Sequence, residues 1–283
     1  MVWGSTYLGI RVVVETMPPM LGAAARFLTA GALLLAFVAA RRGAAAIRPT
    51  RRQLRSAAIV GTLLMGANAV ISVAELHVPS GVAALIVASV PLWVILLRRV
   101  SGDRPAAATV AAVVVGFAGV ALLLRPGEQS GDATVLGLLT VLAGAAMWAS
   151  GAFTSTRLRL PGDPLVSTGW QMLLGGLACA VGGLARGELG QVDPAAFSTR
   201  SIVALAYLVV FGSWVAFTAF AWLLQNAPIS RVATYAFVNP VVAIVLGAII
   251  LGEVVTPVTL AGAAIIVASV AMVIRIENAR RPA

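Results

Sequence analysis

The 283-residue chain is short of charge: Asp, Glu, Lys and Arg together make up 11% of it, against about 25% in a soluble domain. That scarcity excludes an ordinary water-soluble enzyme, a disordered chain and a nucleic-acid binder, because there is too little polar surface to coat a globule. Lysine is absent, so all 20 basic residues are arginine. The single cysteine, Cys179, lies in an apolar run and can form no intramolecular disulfide. A single histidine, His77, makes a metal site improbable, and no metal or cofactor is expected. The chain has no H-E-x-x-H, P-loop, G-x-S-x-G or dinucleotide fingerprint and no carboxylate pair at depth, so an enzyme reading has no residues to stand on.

What is present is apolar: 60% of residues are hydrophobic and the mean hydropathy is +0.99. At about 20 residues per membrane-spanning helix, the length fits about ten spans. Runs bounded by Pro, Gly or charge predict them at Val2–Val14, Pro19–Ala40, Leu54–Ala74, Ser80–Leu97 and Ala106–Leu124. The rest fall at Thr134–Phe153, Pro164–Ala185, Ser201–Leu224, Ile229–Leu251 and Pro257–Ile274. Backbone in hydrocarbon must satisfy its own hydrogen bonds, so these runs are expected as helices. The first is shorter than the others, and looks cut short against a hydrocarbon core of ~30 Å.

The net charge of +10 is a topology signal. With the N-terminus placed inside, 15 arginines fall in inner loops and the tail, and only Arg125, Arg186 and Arg200 fall outside. Arg11 and Arg26 stay within spans. This asymmetry is the positive-inside pattern expected of ten spans with both termini cytoplasmic.

The chain also repeats itself. Pro79-Ser80-Gly81 and Pro91 match Pro228-Ile229-Ser230 and Pro240 at an interval of 149 residues, and Gly102-Asp103 matches Gly252-Glu253 at 150. Trp3, Ser5 and Pro19 match Trp148, Ser150 and Pro164 at 145. Five spans is an odd number, so the halves 1–127 and 128–283 are expected to insert with opposite orientation. Inverted repeats are an architecture of secondary transporters.

Few polar groups remain inside the spans. Pro91 and Pro240 occupy equivalent mid-span places, where each deletes a backbone donor; they are expected as paired kinks in moving, pathway-lining helices. Arg26 is embedded in span two, with Gln171 as its repeat partner; it reads either as a group for an anionic substrate moiety or as a structural partner of Glu15, Glu75 or carbonyls. Asn68, Ser72 and Glu75 fall on one helix face. Glu75 reads either as a proton-coupling site or as a solvated end residue, the second being slightly favoured. Tyr235 and Asn239 share a face leading into Pro240. Trp3, Tyr7, Trp148 and Trp214 sit deeper than an interfacial belt, where they either contact substrate or simply pack.

Several of these residues carry a family resemblance. Trp3-Gly4-Ser5-Thr6-Tyr7, Pro18-Pro19 before Arg26-Phe27, Val78-Pro79-Ser80-Gly81 with Pro91-Leu92, and Tyr235-Ala236-Phe237-Val238-Asn239-Pro240 ending in Gly252-Glu253 resemble the EamA-type drug/metabolite transporter superfamily, most nearly its YedA-like exporter branch. The resemblance spans both repeats. It implies an all-α integral membrane protein of ten helices in two inverted five-helix repeats, with a cavity lined by spans three, four, eight and nine. It also implies export of small metabolites or xenobiotics. The partners expected are a small-molecule substrate, the lipid bilayer and protons as a coupling ion, with no nucleic acid, in a monomer or homodimer. An uptake permease or facilitator, and a scaffold without transport, are the alternatives.

Overall fold

A computed structural model describes residues 2–124, 134–226 and 235–279, apart from the side chains of 235–237 and 278. Among these residues the helices form ten segments, of which seven are long and apolar enough to cross a membrane and two more are shorter apolar helices. They are α1 (Val2–Val13), α2 (Pro19–Arg42), α3 (Arg51–Ala74), α4 (Ser80–Val87) followed by α5 (Val90–Val100), and α6 (Ala107–Leu123). The second half supplies α7 (Val135–Ser155), α8 (Pro164–Ala185), α9 (Thr199–Tyr207) continuing into α10 (Ala216–Asn226), α11 (Tyr235–Leu251) and α12 (Pro257–Ala279).

Local chemistry explains most ends. Pro19 and Pro164 stand at the starts of α2 and α8, where a missing N–H costs nothing and φ is already helical. Thr50 and Gln53 form a reciprocal capping box at α3, and Asp163 accepts from the amides of Leu165 and Val166 at α8. Gly43, with φ +84°, ends α2.

The two prolines expected as a matched pair differ. Span four breaks at Ala88–Ser89, just ahead of Pro91, into α4 and α5. By contrast α11 runs through Pro240 as one helix. Pro240 lies in the second turn, where it removes a single ladder bond. Span eight contains a feature with no sequence signature: Leu208–Val215 is a π-helix between α9 and α10.

The halves pack through each other. Helix α2 lies along α8, its counterpart in the other repeat, and α6 lies along α12 in the same way; α3 is sandwiched by α7 and α8. Glycine sets these distances. A Cβ added to Gly61 would stand 2.2 Å from the Gln171 carbonyl oxygen, and one on Gly31 would stand 2.8 Å from that of Gly169. Small residues allow such approach, and lipid supplies no hydrophobic drive to replace the lost packing. Gly61→Ala is therefore expected to lower stability by about 1–3 kcal/mol, read as an earlier unfolding transition in detergent. Gly190→Ala, with open space around it, should leave the transition in place.

Candidate functional site

Five of the predicted pathway residues meet around one small cavity of ≈ 40 Å³. Trp3 and Tyr7 come from α1, Asn68 from α3, Trp148 from α7 and Asn239 from α11, with Thr6 beside them. Spans one and six thus contribute to the cavity, in addition to three, four and nine. Trp3 and Trp148, equivalent positions in the two repeats, meet edge to face with ring centres 5.4 Å apart.

A second, larger space of ≈ 660 Å³ opens on the face that carries the arginine-rich α2–α3 and α7–α8 connections. Arg52, Arg159, Gln53 and Gln171 line it, and Phe217 and Phe220 form part of its wall. Those phenylalanines also close on Trp3, at 5.4 and 4.9 Å between ring centres, and Phe217 lies 5.6 Å from Trp148. Four aromatic rings from α1, α7 and α10 therefore separate the vestibule from the small cavity. Phe217 and Phe220 escaped the sequence reading because three-residue spacing in an apolar span marks a face without saying which face is inside.

The other predicted residues fall in different places. Gln171 faces the vestibule, its amide nitrogen donating to Ser167 Oγ at 2.9 Å. Ser72 Oγ donates back to the Asn68 carbonyl oxygen and stays within its own helix. Trp214 is not part of the cavity; it packs against Phe37 and borders a separate groove with Arg42 and Trp222. The side chain of Tyr235 lies outside the described residues.

Arg26 is buried with no carboxylate in ion-pair distance among the described residues. Its Nε donates to Ser213 Oγ at 2.8 Å and its Nη2 to the Gly212 carbonyl oxygen at 3.1 Å. Both acceptors belong to the π-helical segment, whose wider turn frees carbonyls that a guanidinium can satisfy. The Phe27 ring centre lies 4.7 Å from the guanidinium carbon, an added cation–π contact.

Glu75 corrects the slightly favoured reading of a solvated end group. It is fully buried, and neither carboxylate oxygen has a hydrogen-bond partner among the described residues. The Arg11 guanidinium passes the carboxylate and donates to the Glu75 backbone carbonyl.

A bundle of apolar spans in two interlocked repeats, holding a small polar-aromatic cavity beside a larger vestibule, has the form of a membrane transporter. The chain belongs to the EamA-like transporter family, whose sequence profile matches residues 1–125 and 135–275. It is similar to the uncharacterized inner membrane transporter YedA of Escherichia coli K12, at 35% identity over 96% of this chain and 87% of the relative. It also resembles a probable terminal-alkyne amino-acid exporter of Streptantibioticus cattleyicolor, at 28% identity over 99% of this chain and 92% of the relative. A probable amino-acid metabolite efflux pump of Salmonella typhimurium is 25% identical over 94% of this chain and 89% of the relative. A solved crystal structure superposes with a TM-score of 0.67 at 20% identity, over 99% of this chain and 95% of its own, which supports the fold.

If the Arg26 pairing holds the π-segment, Ser213→Ala should lower stability by about 1–2 kcal/mol, as expected for a charge-assisted bond between helices in lipid. Ser150→Ala, whose hydroxyl bonds only to its own helix at Ala146, should change it by a few tenths at most. Denaturant titration in detergent distinguishes the two.

Proposed function

We propose that this protein exports small amphipathic, amino-acid-like solutes across a bacterial inner membrane by alternating access. The observation that carries the reading is the pair of compartments: a vestibule on one face, and a small cavity beside it, with four aromatic rings between them. Two inverted halves, taken as 1–127 and 128–283, provide open and closed arrangements of similar energy on the two faces. The arginine asymmetry makes the vestibule face and both termini cytoplasmic, so the cavity would load from within the cell. Trp3 and Trp148 offer faces to an apolar group, while Asn68 and Asn239 offer amides to a polar one. The names of the amino-acid exporters among its relatives support this substrate class.

Counterflow in proteoliposomes tests the proposal. Vesicles preloaded with an unlabelled aromatic or branched amino acid should accumulate the labelled form above protein-free controls. Absence of counterflow across amino acids, their metabolites and amphipathic drugs would leave the scaffold alternative. Net movement inward under every imposed gradient would favour the uptake reading.

Glu75 is the group proposed to couple protons. A carboxylate without solvent or a hydrogen-bond donor is far less costly as the neutral acid than as the anion, and a change of access could supply the water that ionises it. Glu75→Gln, a permanent neutral mimic, is expected to abolish the dependence of flux on a pH gradient while preserving counterflow. Unchanged pH dependence would remove Glu75 from the mechanism.

A further inference from the structure

The two repeats carry equivalent glycine–acid turns, and among the described residues the one in the second repeat meets a helix end; residues 229–230, the positions equivalent to Ser80-Gly81, lie outside the described residues. Gly252, with φ +67°, turns the chain after α11 so that Glu253 points back into the bundle. Its Oε1 accepts from the Ser80 amide at 2.8 Å and its Oε2 from the Gly81 amide at 3.1 Å. These are the first two residues of α4, so an acid of the second repeat caps a helix of the first. Charge at a helix N-terminus is favourable, and the two amides have no partner inside their own helix. The carboxylate sits in a fitted seat: a Cβ on Gly247 would stand 2.4 Å from Glu253 Oε2 and 3.0 Å from Ser80 Oγ.

The equivalent turn, Gly102-Asp103, has the same left-handed glycine, with φ +90°, but lies on the opposite face. There the exposed Asp103 accepts from Arg98 at 2.7 Å, which holds its carboxyl below the ordinary value. It caps no helix among the described residues. The Glu253 turn lies on the face opposite the vestibule, and the Asp103 turn on the face that carries it.

A third acid sharpens the contrast. Glu188 Oε2 accepts from the Met20 and Leu21 amides, both at 2.9 Å, and so caps α2 across the repeats. Its equivalent 145 residues earlier is Gly43, and no acid occurs anywhere in the 41–55 connection. A contact without a counterpart cannot exchange between faces; the Glu188 cap is a fixed strut.

We infer that the Glu253 carboxylate on the α4 N-terminus is the latch that closes the face opposite the vestibule, released when that face opens. The inference rests on the alternating-access reading and names the residue that holds one of its two states. Helix α4 is taken as the part that moves on release: it carries Val87 to the small cavity, and its start is the end that the carboxylate holds.

The test uses the full chain with Cys179→Ala and a reporter, Ile71→Cys, which lines the small cavity and is buried. A membrane-impermeant maleimide is applied to sealed vesicles of each orientation. The orientation presenting the latch face is identified by labelling of a Gly190→Cys reference protein. From that face Glu253→Gln is expected to raise the Ile71→Cys labelling rate at least about fivefold, while Glu188→Gln leaves it unchanged. Ser80→Pro removes one of the two donors at a position where proline suits a helix start; it should act in the same direction and decides the matter if Glu253→Gln is not recovered folded. The latch is overturned if these variants label no faster than their parent, or if Glu188→Gln accelerates labelling equally. Labelling needs no substrate, so accelerated labelling without counterflow would count against the transport reading alone.

Discussion

Hydrocarbon offers no hydrogen-bond partner to an open N–H or C=O, and the architecture of this protein follows from that constraint. It forces ten helices from a chain with little polar material. It also makes each departure from a regular helix conspicuous, because the released groups must be met from within the bundle. The π-segment Leu208–Val215 is met by Arg26, whose guanidinium bonds Ser213 and the Gly212 carbonyl. The starts of α2 and α4 are met by Glu188 and Glu253. Those three side chains, two of them buried and Glu253 half-buried, serve backbone groups left open at helix starts and in the π-segment.

The same constraint explains how the two repeats hold together. With lipid as apolar as leucine, helices gain from contact only by approaching closely, and the α2–α8 and α3–α8 seams do so through Gly31, Gly61 and Gly175. Such seams are rigid. The elements interrupted along their length are α4 and α5, on either side of their break, and α10, beyond the π-segment. Those elements carry the residues that separate the compartments, Phe217 and Phe220 on α10 and the latched end of α4. A transporter needs both behaviours, a stiff frame and a few hinged parts, and here the continuous helices of the glycine seams supply the first and the interrupted spans four and eight the second.

Much of the fold was legible in the chain. Apolar run length placed most of the described helices to within a few residues, and the repeat register paired Trp3 with Trp148, which the structure brings into contact. The candidate site was legible only in part. Asn68, Trp148 and Asn239 converge on the cavity as their depth suggested, whereas Trp214, equally deep in its span, faces Phe37 on another side. Pro91 and Pro240 have one spacing and one chemistry, yet only the helix bearing Pro91 breaks. Depth along a helix follows from counting residues, but the face it presents to a partner depends on every neighbouring helix.

Composition and pattern alone determined that this is a membrane protein, how many times it crosses, and that its halves are related. Those properties depend on transfer into lipid and on residue spacing, which are local quantities. Tertiary structure decided which rings form the barrier, that Glu75 is buried and not solvated, that Arg26 has a backbone and hydroxyl partner in place of a carboxylate, and that Glu253 meets the start of α4. Each of those is a distance between residues far apart in the chain. Such distances arise when helices settle against one another, and no single span encodes them.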